Sequence, residues 1–266
     1  KDGAQERGLV SCVMTFEPHP KEFFSPEQAP PRILNLRDKL AAFVDIGIDR
    51  VVVEHFNAAF ARLTPEEFVS EIIVKQLNAK WILIGDDFCY GAKRVGNFAS
   101  LKAAGEKYGF EVSSIHTVLE DGERISSSAL RNALANGNMD QASKLLGRPY
   151  GISGHVIHGR QLGRQLGFPT LNLAVANHLH HRKPATTGIF TAQVLGLDEK
   201  PLAAVASLGV RPTVEDQGRV LLETHIFDYD QDVYGKIITV ELLEKIRDEA
   251  KYDDLDTLTK AIASDA

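Results

Sequence analysis

The sequence predicts a chain of two parts, an α/β region followed by an all-β region. From residue 9 to 115, short apolar strands alternate with amphipathic helices, which indicates a parallel sheet with right-handed crossovers. Beyond Gly147-Arg148-Pro149, strands of about six residues are separated by Gly and Pro turns. That spacing is typical of an antiparallel barrel or sandwich. We therefore expect two domains, residues 1–147 and 148–266.

The composition excludes several classes of protein. The chain has 266 residues, of which 44% are hydrophobic and 25% charged, as in soluble globular proteins. A net charge of −6 gives no basis for nucleic-acid binding. Because neither a membrane-length apolar run nor a signal peptide is visible, we expect no membrane partner and a cytoplasmic location. Two cysteines, Cys12 and Cys89, are read as reduced thiols.

The first region shows the strand and helix signals in order. Apolar or β-branched strands are predicted at 10–16, 51–53 and 81–84, as strands covered on both faces require. A helix is predicted between Asn35 as N-cap and Gly47 as terminator. The next helix opens with a capping box at Thr64-Pro65-Glu66-Glu67. The pattern is Rossmann-like, although a GxGxxG motif is lacking.

The second region begins after two more predicted helices, at 129–135 and 139–146. Predicted strands follow at 152–158, 188–195, 203–208, 220–227 and 237–243. A terminal helix is predicted around 255–262, because its apolar residues recur at helical intervals.

Glycines recur between basic residues in the segment GISGHVIHGRQLGRQLGFPTLNL, residues 151–173. Gly159 and Gly163 would allow backbone N–H groups to approach an anion, and Arg164 adds positive charge. Thr170 and Asn172, two apart on a short predicted strand, would present a hydroxyl and an amide oxygen on one face. Such hard oxygen ligands suit a Mg²⁺–nucleotide complex. The residues alone equally permit an ordinary glycine-rich hairpin loop.

Glu223 is the candidate base of the second region. It lies on a predicted strand face between Leu221 and Phe227, where partial desolvation would raise the pKa of its carboxyl and improve it as a base. The alternative is a surface glutamate on an edge strand.

Three elements of the first region follow strands or begin a helix, where ligands bind in open α/β sheets. His19 lies in a proline-fixed turn and Asp87 in a loop with aromatic and basic residues. Ser127, Ser128 and Arg131 begin a helix whose N–H groups could bind an anion. Taken singly, these could be a solvated turn, a loop with internal ion pairs and a plain N-cap.

The segment 151–173 resembles the riboflavin kinase signature, with Leu171 where the family commonly has Ala. The resemblance implies a kinase β-barrel in which Thr170 and Asn172 contact Mg²⁺ and the phosphates of ATP. It also implies that Glu223 is the catalytic base for the ribityl 5′-hydroxyl, that Arg211 lies in a loop at the mouth of the active site, and that Arg247 lies in a segment that closes over the flavin.

TFEPHP, GDDFCYGAKRVGNF and RISSSALR resemble motifs of the FMN adenylyltransferase half of the bifunctional flavin-synthesis enzymes. Asp87 would then lie in the flavin or nucleotide pocket, and Ser127, Ser128 and Arg131 would hold the triphosphate. The family's G-x-F-D-G-x-H-x-G-H loop should precede Lys1, so the chain as given is expected to make FMN but almost no FAD. The implied ligands are riboflavin, FMN, ATP and Mg²⁺. The alternatives are a riboflavin kinase with a remnant first domain, or a flavin- or nucleotide-binding regulatory module without turnover.

Overall fold

A computed structural model describes the chain at residues 1–85, 87–115, 119–120, 123–159, 168–174, 184–210 and 220–250, and at 257, 264 and 265. The chain divides into two compact units. The first unit contains residues 1–29 and 40–118, and the second contains residues 30–39 and 119–266.

The first unit is built from parallel strand pairs and helices. Its elements are α1 (Asp2–Glu6), β1 (Cys12–Glu17), α2 (Pro20–Phe24), the greater part of α3 (Leu36–Asp45), β2 (Arg50–His55), α4 (Pro65–Glu67) continuing as π-helical turns over Phe68–Gln76, β3 (Trp81–Ile84), α5 (Phe98–Tyr108) and β4 (Glu111–Ser114). Strand β1 pairs with β2, and β3 with β4, both in parallel. The predicted α/β class with parallel strands is confirmed.

The helix starts follow the sequence signals. The Thr64 side chain accepts a hydrogen bond from the Glu67 N–H at 3.2 Å, and the Glu67 carboxylate accepts one from the Thr64 N–H at 2.8 Å, which is the predicted capping box. Asn35 accepts a hydrogen bond from the Asp38 N–H at 2.8 Å and so begins α3 as predicted. The core of the unit is formed by buried residues of the Phe68–Gln76 segment with Tyr90, Leu101 and Phe110.

The second unit contains a closed six-stranded antiparallel barrel. Its elements are β5 (Leu119–Glu120), β6 (Glu123–Arg124), α6 (Ser127–Ala135), α7 (Met139–Leu146), β7 (Tyr150–Ile157), β8 (Leu171–Ala174), β9 (Gly188–Leu195), β10 (Leu202–Val210), β11 (Val220–Ile226) and β12 (Ile237–Arg247). The strand order around the barrel is β10-β11-β8-β7-β12-β9. Of the two architectures that the strand spacing allowed, the barrel is therefore the one adopted.

The side chains of the barrel strands alternate between the interior of the barrel and its outer side. Strands β9 and β11 alternate strictly between buried and half-buried residues, as strands with one face in a core must. Strand β12 extends four residues beyond the predicted end at 243. It continues through Arg247 because it pairs with β9 across two register irregularities that let charged residues stay in the ladder.

Helices α6 and α7 pack with the barrel. Leu134 and Ala142 are fully buried in the same apolar cluster as barrel residues such as Phe190 and Val240. The compact unit therefore begins before residue 148. The domain boundary predicted at 147/148 stays a prediction. The predicted terminal helix at 255–262 lies outside the described residues except for Thr257, which is helical.

Candidate active sites

The candidate metal ligand Asn172 and the candidate base Glu223 are neighbours in the barrel. Strands β8 and β11 pair in a register that sets Asn172 directly opposite Glu223. Residues so opposed point to the same side of a sheet, with Cβ atoms about 4.5–5.5 Å apart. Leu173 and Leu222, opposed one step along, are fully buried inside the barrel. The Asn172–Glu223 pair therefore lies on the outer side of the barrel.

Gly159, just after β7, lies against the side-chain amide of Asn172. A Cβ built at Gly159 would overlap the amide of Asn172, so only glycine allows this approach. Asn172 is 5% exposed as a result of such packing. That Gly159 lets the backbone approach an anion stays a prediction; the structure adds that Gly159 makes room for the amide of Asn172. Gly163 and Arg164 lie outside the described residues.

Thr170 lies one residue before β8, which begins at Leu171. The sequence placed Thr170 and Asn172 on one short strand, and only Asn172 is within it. The hydroxyl of Thr170, the amide oxygen of Asn172 and the carboxylate of Glu223 are hard oxygen donors, the type that Mg²⁺ prefers. The donor chemistry of this segment therefore fits a magnesium–nucleotide complex, in which phosphate and water supply most ligands.

A second carboxylate, Glu249, lies beside this pair. Ser207 on β10 is directly opposite Glu223, and its hydroxyl donates a hydrogen bond to Glu249 Oε1 at 3.2 Å. The carboxylate packs so closely on Gly209 that a Cβ there would overlap it. Although Glu249 is an exposed residue, the partial burial of its carboxyl raises its pKa, the Ser207 hydrogen bond lowers that pKa, and the charge of Glu223 raises it.

Sequence reasoning did not single out Glu249 as a site residue, although it lies in the segment 246–249 that resembles a substrate-binding segment. The resemblance of this segment is therefore the signal that could have identified Glu249 from the sequence. The contact with Ser207, 42 residues earlier in the chain, could not be read from spacing.

Arg247 lies on the same outer side but further round the barrel. The row of opposed residues runs from Glu223 to Ser207, Ile189 and Arg247. Three strand spacings correspond to about 14 Å. The guanidinium makes a two-point ion pair with Asp265, with Nε–Oδ1 at 2.9 Å and Nη2–Oδ2 at 2.5 Å. Arg211, the other predicted binding arginine, lies outside the described residues.

His19 caps a short helix in the first unit. Its Nδ1 accepts a hydrogen bond from the Lys21 backbone N–H at 3.2 Å, while the backbone N–H of His19 donates to the Glu22 carboxylate at 2.8 Å. The bond from Lys21 requires a lone pair on Nδ1, so the proton of the neutral imidazole lies on Nε2. The proline-fixed turn predicted here is thus a helix start, with a cis bond between Glu17 and Pro18.

Asp87 lies in the loop after β3 and is exposed to solvent. Its Oδ1 is 3.0 Å from the position that a Cβ of Gly85 would take. His19 and Asp87 each follow a parallel strand, β1 and β3, as predicted. The two strands belong to different pairs.

Ser126, not Ser127 or Ser128, caps α6, by accepting a hydrogen bond from the Ala129 N–H at 3.1 Å. Ser127 and Ser128 are exposed in the first turn. Arg131 donates to the carbonyl oxygens of Pro31 at 2.8 Å and Ser127 at 3.2 Å. Within the second unit, these contacts direct its guanidinium to the start of the helix, where anions bind.

In the parts of the chain that the structure describes, no helix has the length and apolar character needed to cross a membrane. The same parts contain no group of three or more His, Cys, Asp or Glu side chains that could hold a metal ion. Cys12 and Cys89 are free thiols at exposed positions.

Two family models match the chain. The model for FAD synthetase matches residues 1–129, and the model for riboflavin kinase matches residues 146–266. A solved structure titled a macrolide-efflux protein from Streptococcus pneumoniae is similar over 99% of this chain and 84% of that chain, with a TM-score of 0.78 and 32% identity. This likeness supports the fold.

Among curated proteins, the chain is similar to the bifunctional riboflavin kinase/FMN adenylyltransferase of Escherichia coli K12. The two are 44% identical over 265 residues, covering 100% of this chain and 83% of the relative. The protein of the same name from Pseudomonas fluorescens is 42% identical with the same coverage. The chain therefore belongs to the family of bifunctional riboflavin kinase/FMN adenylyltransferases.

Proposed function

We propose that the region 148–266 phosphorylates riboflavin with ATP to give FMN, with Glu223 as the general base. The observation that carries this proposal is the direct opposition of Glu223 and Asn172 on β11 and β8. A base and a ligand for the metal–nucleotide complex are thereby held side by side by backbone pairing. A hydroxyl to be phosphorylated must meet both a proton acceptor and the γ-phosphate, and this pair offers both at one place.

In the proposed reaction, the carboxylate of Glu223 accepts the proton of the ribityl 5′-hydroxyl as that oxygen bonds to the γ-phosphorus. The bond from the γ-phosphorus to the bridging oxygen breaks, and ADP leaves with the electron pair. Phosphoryl transfer depends mainly on positioning and charge neutralisation. Bound Mg²⁺ would supply charge neutralisation on the phosphates, and Thr170 and Asn172 would hold it. Gly159 fixes the amide of Asn172 for that role, and Gly163, Arg164, Arg211 and Arg247 are proposed to bind the substrates.

We further propose that, in a chain as long as its relatives, the region 1–147 adenylylates FMN with ATP to give FAD and pyrophosphate. Support comes from the FAD synthetase model over residues 1–129 and from the exposed serines at the start of α6. His19, Asp87, Ser127, Ser128 and Arg131 are the proposed binding residues. Because both reactions consume ATP, a cytoplasmic location is proposed with them.

The kinase proposal is tested by incubating the chain with riboflavin and Mg-ATP and separating the flavins by chromatography. Glu223→Gln should keep riboflavin binding but reduce turnover about 10²–10⁴-fold, the usual contribution of a general base. Glu241→Gln is the matched control, since Glu241 is a half-buried barrel glutamate that accepts a hydrogen bond from Gln193 at 2.6 Å.

Turnover of the Glu223→Gln variant within a few-fold of the parent would exclude Glu223 as the base. Riboflavin binding by the parent without FMN formation or ATP consumption would instead favour a regulatory module. FMN formation without FAD, by a chain extended to the full length of its relatives, would favour a riboflavin kinase with a remnant first domain.

A further inference from the structure

We propose that His225 is a positioning residue of the kinase site, which fixes Thr170 by holding the carbonyl group of Pro169. The inference rests on the proposed kinase function of the barrel. His225 lies two residues after Glu223 on β11, so both side chains leave the same side of the strand.

The contact is a hydrogen bond between side chain and backbone. His225 Nδ1 is 2.8 Å from the carbonyl oxygen of Pro169. A carbonyl oxygen only accepts hydrogen bonds, so Nδ1 must carry the proton. The imidazole is bracketed edge-on by Phe168 and Phe227, with ring centroids 5.6 and 5.5 Å away. These rings restrict the orientation of the imidazole and hence the direction of the bond.

The hydrogen bond continues the attachment of β8 to β11 where backbone pairing stops. The ladder between the strands spans Leu171 to Leu173, with Leu171 opposite Thr224 as its last pair. Continued in the same register, the ladder would set Thr170 opposite His225 and then Pro169 opposite Ile226, and proline has no N–H to donate in that second pair. The side chain of His225 provides the next attachment point instead.

Thr170 is therefore the single residue between two fixed points. On one side, Leu171 is held by the ladder, and on the other, Pro169 is held by His225. Strand β11 thus carries the candidate base and also anchors the segment that carries the candidate metal ligands. Such coupling matters because a displacement of about 1 Å in a reacting group can cost about 10²-fold in rate.

Two substitutions separate the hydrogen bond from the ring. His225→Phe keeps the aromatic contacts but removes the donor, whereas His225→Asn removes the ring but keeps an N–H donor near the Nδ1 position. His155→Phe is the matched control, since His155 Nδ1 also contacts a backbone oxygen of the barrel, that of Gly235 at 3.1 Å. Mg-ADP affinity is measured by calorimetry, riboflavin affinity by fluorescence quenching, and KM for Mg-ATP and kcat by FMN formation.

His225→Phe should weaken Mg-ADP binding and raise KM for Mg-ATP about tenfold, as loss of one hydrogen bond allows. Riboflavin affinity should remain that of the parent. His225→Asn should recover most of the nucleotide affinity, and His155→Phe should behave as the parent does. Mg-ADP binding by the Phe variant equal to the parent's would overturn the proposal.

Equal impairment of the Phe and Asn variants would also overturn it, because an N–H donor near the Nδ1 position would then recover none of the nucleotide affinity. If the Phe variant does not fold, the Asn variant decides the question by whether it binds Mg-ADP as the parent does. A parent that binds Mg-ADP in this His225-dependent way but makes no FMN would refute the proposed kinase function while leaving the role of His225 intact.

Discussion

Asn172 and Glu223 face each other across neighbouring antiparallel strands, 51 positions apart in the chain, with a buried leucine pair one step along the same ladder. A shift of one residue in the pairing of β8 and β11 would turn one of the two side chains into the barrel interior. The buried leucines oppose such a shift, because their apolar area would be exposed to water. The packing of the barrel thus fixes the candidate site.

We expect Asn172→Ala to impair the use of the nucleotide more than the binding of riboflavin. The substitution removes an amide oxygen proposed to hold the Mg-ATP complex but leaves the strand pairing in place. KM for Mg-ATP should rise while riboflavin affinity, measured by fluorescence quenching, remains close to that of the parent. An equal loss of both would mean that the segment is structural.

Gly159→Ala should lower kinase activity about 10²-fold, because the added Cβ displaces the amide of Asn172. The melting temperature should change little, since only a side-chain end has to move. The control is the same substitution in an Asn172→Ala background, where nothing remains to be displaced. There Gly159→Ala should cost almost nothing, and additive effects of the two substitutions would contradict the contact as the cause.

Glu249→Gln should raise the melting temperature at pH 7.5 slightly, since Glu249 is exposed and its charge is screened by water. The pKa of this carboxyl is raised in the folded protein by burial and by the charge of Glu223, so the folded state disfavours its ionised form. The folded state is therefore favoured below the ordinary pKa of a glutamate and loses that advantage as pH rises through the raised pKa. The difference between variant and parent should accordingly vanish in acid.

Asp248→Asn serves as the control of opposite sign for Glu249→Gln. The Lys245 ammonium, 2.6 Å away, lowers the pKa of the adjacent Asp248 carboxyl. Removing the charge of Asp248 should therefore not stabilise the protein at pH 7.5. A rise in melting temperature for both variants would show that general removal of negative charge, rather than the Glu249 environment, is responsible.

Asp38→Ala should destabilise the second unit by about 1–3 kcal/mol, the cost of leaving buried donors without an acceptor. Asp38 is 8% exposed and accepts hydrogen bonds from the Ser153 N–H at 3.2 Å and from the Ser153 hydroxyl. Asp38→Asn should cost less, because one oxygen acceptor remains. Denaturant unfolding followed by circular dichroism measures both effects.

The pH dependence of the Asp38→Asn effect has a definite sign. Burial raises the pKa of the Asp38 carboxyl, against a lowering by Ser153, Arg148 and Arg37. The parent should therefore gain stability relative to Asp38→Asn as the pH falls toward the raised pKa, and lose it as the pH rises. A difference that grows with rising pH would contradict this environment for Asp38.

Much of the fold could be predicted because local signals agree with it. The Thr64 capping box, the Asn35 cap and the alternating strands of the second region act over a few residues. The sequence predicts the strand at Leu171–Ala174 only as a short strand around Thr170 and Asn172, because a strand of four residues that follows a proline shows little periodicity. The predicted end of β12 was wrong by four residues, since Glu244 and Lys245 look like loop residues in sequence.

The sequence by itself determined the two-part organisation, the family resemblance and the residue types of the candidate site. Motifs of this kind are local, so their chemistry can be read without knowing what they contact. Only the tertiary structure decided that Asn172 lies opposite Glu223, that Gly159 makes room for an amide, and that Glu249 and His225 belong beside them. Those relations join positions 13 to 56 residues apart, and such pairings are set by barrel closure and burial rather than by spacing along the chain.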